Sequence, residues 1–244
     1  MKLTDRIYWV GSGCVGLSAE GDCHVYAVEG DDAIALIDCG MARDPELILR
    51  NLKNDGMDLD KLKYVLLTHA HPDHAGGCLA LQKERGLKIV CSDYEGRMLR
   101  QGAVDFFKHE NTGMVAWMER EMPKCEPDII VGDDDEIDLG GVKLRVIVTP
   151  GHTGGSVCYL TEIGGQQMLF SGDTIFYKGF ISVLPAPFSD LTLYKPGLLK
   201  LRDLRVDGLF PSHLMFVLKQ GQSYIDKANT EFSNSRTPER KPFS

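Results

Sequence analysis

The segment Thr68–Gly77, THAHPDHAGG, constrains this chain more than any other. Four metal-capable side chains, His69, His71, Asp73 and His74, fall within six residues at the end of a near-continuous apolar run, Lys63–His69. Such a run is expected of a strand buried on both faces, and a helical pattern follows it over 75–86. Side chains alternate along an extended segment, so His69 and His71 point to the same side and can hold one ion. Beyond Pro72 the backbone must turn, which directs Asp73 and His74 to a neighbouring position.

Three more metal-capable residues stand where other strands end. His152 lies in TPGHTGG after a strand over 142–148, Asp173 in FSGDT after a strand over 167–173, and His213 in LFPSH after a short run from Gly208. Loops at strand ends are where sites gather on a packed scaffold. Five histidines and two aspartates make two coordination sets. Imidazole and carboxylate without thiolate suit zinc, with iron or manganese as alternatives. His24 and His109 are isolated and are expected to be packed or solvated residues.

The rest of the chain reads as strands and helices in two similar halves. Short strands over 6–12, from His24 and from Ala33 precede a helix beginning at Asp44 and Pro45 and stopped by Gly56. A strand at Lys88 is followed by a helical insertion over 93–124. The second half carries paired strands joined by Gly140-Gly141 and by a second Gly-Gly turn. Together these patterns predict a single domain over 1–232 and a polar tail over 233–244. With 27 Lys and Arg against 35 Asp and Glu, the net charge of −8 disfavours nucleic acid as a partner. No stretch approaches the roughly 18 to 20 apolar residues that span a bilayer, and the seven scattered cysteines form no C-x-x-C pair. A soluble, cytoplasmic chain with reduced thiols, acting on a small molecule, is the expectation.

With these residues in view, the chain resembles the metallo-β-lactamase superfamily, whose H-x-H-x-D-H signature is met by His69 to His74. The resemblance runs from Asp38-Cys39-Gly40 to His213. It implies an α/β fold, a four-layer αβ/βα sandwich of two mixed sheets with helices outside. It also implies a first metal site of His69, His71 and His152 and a second of Asp73, His74 and His213, with Asp173 bridging them. Asp38 would lie beneath the histidine loop and orient a ligating ring. The cofactors implied are two divalent ions, zinc foremost and iron or manganese as alternatives. The reaction implied is hydrolysis by a metal-bridging hydroxide, with Asp73 as the catalytic proton carrier.

Asp173 separates the chain from true β-lactamases, which lack the bridging aspartate. Glyoxalase II and the persulfide dioxygenases share the Gly172–Phe176 text but continue differently from Tyr177–Ile181. The resemblance therefore points to hydrolysis of a small ester, thioester or lactone. An iron persulfide dioxygenase and a phosphodiesterase are the competing enzyme classes, and a metal-stabilised sensor module is the non-catalytic one. Segments 93–124 and 176–190 are expected to cover the metals, with Tyr177, Trp117 and Phe107 as substrate-binding candidates.

Overall fold

The computed structural model of the chain describes residues 1–41, 43–108 and 112–234. These form two compact units, Met1–Val131 with Asp138–Lys143, and Gly132–Ile137 with the chain from Leu144 onward.

The first unit is built on a six-stranded mixed sheet whose order is the order of the chain. Strand β2 (Val25–Glu29) is antiparallel to both β1 (Ile7–Gly11) and β3 (Ile34–Ile37). Strands β4 (Leu62–Leu66), β5 (Lys88–Ser92) and β6 (Ile129–Val131) then add in parallel. Leu36, Val65, Leu66 and Val90 are wholly buried. Each such aliphatic side chain contributes about 1.5–3 kcal/mol against exposure. Helix α1 (Pro45–Asn54) follows β3, with Pro45 at its first position and Ile48, Leu49 and Leu52 on its buried face.

The helix expected over 75–86 is two helices, α2 (Pro72–Ala75) and α3 (Cys78–Arg85), broken at Gly76-Gly77. The break has a packing cause. A Cβ on Gly76 would stand 2.8 Å from the Met41 backbone, and one on Gly77 only 2.6 Å from the Cys39 carbonyl. Two glycines thus let the histidine loop lie directly against the end of β3. Helices α4 (Asp93–Gln101), α5 (Ala103–Phe106) and α6 (Gly113–Glu121) occupy the stretch between β5 and β6.

The second unit carries a five-stranded mixed sheet. Its strands are β7 (Glu136–Asp138), β8 (Lys143–Val148), β9 (Val157–Ile163), β10 (Gln166–Gly172) and β11 (Gly208–Pro211). The β9–β10 hairpin closes on Gly164 and Gly165, both at positive φ, as a tight turn of right-handed strands requires. Because β9 is antiparallel to both β8 and β10, and β11 is parallel to β10, strands β8, β10 and β11 all point the same way. Their carboxyl ends share one edge of the sheet.

Helices α7 (Leu191–Leu199) and α8 (Gly221–Ser233) cover this sheet through Tyr194, Leu198, Ile225, Ala228 and Phe232, which join its core. Neither helix was foreseen in the sequence. Pro196 inside α7 reads as a helix breaker. The tail expected from 233 falls beyond Asn234 outside the described residues.

Candidate metal centre

In the first unit the parallel register builds the site. Ile37 pairs with Leu66, so the residues just after β3 and β4 become neighbours. Asp38 is therefore set beside Thr68, accepting its N–H at 2.8 Å and its hydroxyl at 2.8 Å. Asp38 adopts φ 60°, a left-handed conformation that aspartate tolerates better than most residues. Its Oδ2 also accepts the Nδ1–H of His74 at 2.8 Å.

Since the Thr68 hydroxyl proton is committed to Asp38, its oxygen accepts the Nδ1–H of His69 at 3.1 Å. Both rings thus present Nε2 as the basic nitrogen. His69 Nε2 and His71 Nδ1 face each other at 2.9 Å, the same-side arrangement that alternation requires. His71 caps α2, and the single turn beginning at Pro72 brings Asp73 Oδ2 to 3.4 Å from His74 Nε2.

Two supports here were not read from the sequence. Glu95, buried in the first turn of α4, accepts the N–H of Ala70 between the two histidines at 2.9 Å. Cys23, also buried, brings its sulfur within 4.8 Å of ligand atoms of Asp38 and His74. A buried Glu three residues into a helix and a cysteine in a loop have no local signature of such roles.

In the second unit, His152, Asp173 and His213 follow the three strands that end on one edge. His152 donates its Nδ1–H to the Ser182 carbonyl at 2.9 Å, since a carbonyl can only accept, which leaves Nε2 basic. Asp173 is flanked by two of these nitrogens. Its Oδ2 lies 3.6 Å from His152 Nε2, and its Oδ1 lies 3.5 Å from His213 Nε2. A carboxylate whose two oxygens face two different imidazoles has the form of a bridge.

Tyr194 of α7 holds this half together, another role the sequence did not disclose. Its hydroxyl lies 2.8 Å from the carbonyls of both Asp173 and Thr174 and accepts the Ser182 N–H at 3.1 Å. The ring rests against Gly151, where a Cβ would approach it to 2.6 Å. Burial pushes the phenol well above its usual pKa, so it keeps the proton that it donates.

The donor set fits divalent cations: in each unit imidazole nitrogens converge with a carboxylate, and protein groups hold the Nδ1–H of His69, His74 and His152. The field agrees. Burial alone lowers the pKa of His74, but Cys23, Asp73 and Asp38 outweigh it and hold the ring well above its usual value. Surroundings that favour a proton there also favour a metal ion.

His24 is a packed histidine, buried, with Nδ1 2.9 Å from the Ser12 hydroxyl and its ring edge-on to Trp9. His109 lies outside the described residues. Phe107 and Trp117 of the first unit and Tyr177 of the second are half-buried, with Tyr177 packed 5.1 Å from the Tyr224 ring. Phe176 is fully buried, its ring centroid 6.4 Å from that of His213.

Residues 19–213 match the family model described as the metallo-beta-lactamase superfamily. Among curated relatives, the chain is 27% identical over 166 residues to a hydroxyacylglutathione hydrolase of Albidiferax ferrireducens, covering 68% of this chain and 52% of that protein. It is 26% identical over 250 residues to the acyl-coenzyme A thioesterase MBLAC2 of Homo sapiens, covering 93% of this chain and 86% of the other. The chain spans about half the length of the hydroxyacylglutathione hydrolase that it matches. Among solved structures, the FEZ-1 metallo-beta-lactamase from Legionella gormanii superposes with a TM-score of 0.73 at 20% identity, over 94% of this chain and 92% of that one. The two mixed sheets with their helices are thus the α/β metallo-β-lactamase fold, and the chain belongs to the metallo-β-lactamase superfamily.

Proposed function

We propose that this protein is a dinuclear metal-dependent hydrolase of small thioesters, within the wider class of esters and lactones. The observation that carries this reading is Asp173, whose two oxygens face His152 and His213 separately. The thioester preference draws on the human relative matched over most of both chains, which is named an acyl-coenzyme A thioesterase. Two divalent ions, zinc in our reading, would be held by His69, His71 and His152 and by Asp73, His74 and His213, with Asp173 shared, and would acidify a water and polarise the acyl carbonyl.

The chain's own residues do the remaining work. Thr68, Asp38 and the Ser182 carbonyl hold the Nδ1–H of His69, His74 and His152, which orients those three rings with Nε2 as the ligating nitrogen. Asp73, with 19% of its side chain exposed, is the carboxylate within reach of a water, and it takes up and returns the proton. We place the protein in the cytoplasm, a compartment that suits free thiols such as Cys39 and Cys78, whose buried sulfurs lie 3.6 Å apart.

The test loads the protein with zinc, manganese or iron and assays generic thioesters, esters, lactones and phosphodiesters beside metal analysis. Two ions per chain with turnover of thioesters is the expected result. One iron per chain with oxygen consumed on a glutathione persulfide would replace this reading.

A further inference from the structure

The segment directly after His213 is apolar and turned outward. Leu214, Met215 and Leu218 are 38%, 62% and 41% exposed, three of the larger exposed apolar side chains of the molecule within five residues. Such side chains are unremarkable when scattered, but a cluster signals contact with something apolar.

The cluster is held rigidly. Val217 pairs with Leu209 of β11 through two backbone hydrogen bonds, at 2.8 and 2.9 Å. Phe216 stacks on Phe210 at 6.0 Å, and Phe210 stacks on the buried Phe170 at 5.2 Å. Leu214 is held at φ 64°, a left-handed conformation that leucine rarely adopts. Strain of that kind persists only where surrounding structure imposes it, and it gathers at ligand clamps and active sites.

We propose that Leu214, Met215 and Leu218 form a ledge that holds the acyl chain of the substrate, so that the favoured thioesters carry an unbranched aliphatic acyl group rather than a small polar one. The inference rests on the hydrolase reading above. The placement follows from the chain itself. Two residues span at most about 7 Å, so Met215 lies within that distance of His213, beside the position where the scissile carbonyl would sit. An acyl group of several carbons leaving the carbonyl would meet this ledge, and a two-carbon one would not reach it.

The experiment uses the zinc-loaded full chain and the acetyl, butanoyl, hexanoyl and octanoyl thioesters of N-acetylcysteamine. For the parent, kcat/KM should rise by roughly two- to four-fold per methylene, the value of a methylene moved out of water. In the M215S/L218S double variant the octanoyl-to-acetyl ratio should fall at least tenfold. Leu199→Ser, which removes an equally exposed leucine of α7, should keep the parent ratio. A double variant with the parent ratio overturns the ledge, as does a parent without chain-length dependence. Calorimetric binding of octanoate to the same proteins separates this inference from the function it rests on. If no thioester is cleaved yet octanoate binds the double variant at least tenfold more weakly, the ledge stands and the hydrolase reading falls. Equal octanoate affinities overturn the ledge, and Met215→Ser alone serves if the double variant fails to fold.

Discussion

The two halves of the proposed centre reach the same chemistry by opposite routes. In the first unit four candidate ligands sit on one strand end and one helical turn, and their principal support, Asp38, comes from the adjacent parallel strand. In the second unit His152, Asp173 and His213 come from three strands, and their support is a phenol on α7, a helix that lies between β10 and β11 in sequence. A compact motif places its ligands by local geometry. A dispersed one depends on sheet topology to bring strand ends to one edge and on a tertiary contact to hold them there.

The sharpest test of this contrast replaces the charge while keeping the shape. Asp73→Asn retains one oxygen but removes the negative charge, and kcat should fall by roughly two to four orders of magnitude, the usual cost of losing a general acid and base. Metal content must be measured on the same sample, because loss of an ion would lower the rate by another route. An Asp73→Asn protein that keeps its metals and the parent rate would show that proton handling lies elsewhere.

Next in size is Asp38→Asn. The amide would set an N–H against either the Thr68 N–H or the His74 Nδ1–H, a donor facing a donor in a site with no exposure. Stability of the metal-free protein should drop by about 1–3 kcal/mol in denaturant unfolding. Metal affinity by chelator competition should weaken roughly 10- to 100-fold. If local geometry alone builds this half, the loss should fall on both measurements together.

Tyr194→Phe probes the other half and should act more narrowly. Without the hydroxyl, the Ser182 N–H loses its acceptor and the Asp173 and Thr174 carbonyls lose their donor. We expect metal affinity to weaken by about tenfold. Full affinity in Tyr194→Phe would mean that the strand ends alone hold the second set, and the contrast between the halves would dissolve.

How much could be read in advance follows from the same division. The histidine loop was legible because strand alternation and one proline-led turn act over a few residues, and Asp38 because the pattern of a known family marks it. His152, Asp173 and His213 stood out locally only as residues at strand ends, and the same family pattern, not any local geometry, sorted them into sites. Tyr194, Glu95 and Cys23 were not legible at all, since each acts across tens of residues through a contact that no local pattern encodes. The same reason hid the break at Gly76-Gly77, which answers to the backbone of Cys39 and Met41 just after β3 and not to helix propensity.

The smallest effect comes from a support of the second unit that lies in solvent. Asp133 accepts the Val148 N–H at 2.7 Å and an ion pair from Lys200 at 2.9 Å, tying the last residue of β8, just before the His152 turn, to the end of α7. Partial burial works against its ionisation, but Lys200 and the Val148 N–H outweigh it and hold its pKa below the usual carboxylate value. A folded-state pKa that is depressed contributes stability above the unfolded value of about 3.9, and that contribution disappears as pH falls through the folded value. With 45% of the side chain exposed, solvent screening limits it to about 0.5 kcal/mol. Asp133→Asn keeps an acceptor for Val148 and removes only the charge, so its stability should trail the parent by no more than that at neutral pH and converge on it in acid. Denaturant titrations at several pH values measure the gap. A gap of several kcal/mol, or one that persists in acid, would mean that the edge beside His152 depends on Asp133 for more than a screened ion pair, and that the dispersed half is anchored from its surface as well as by Tyr194.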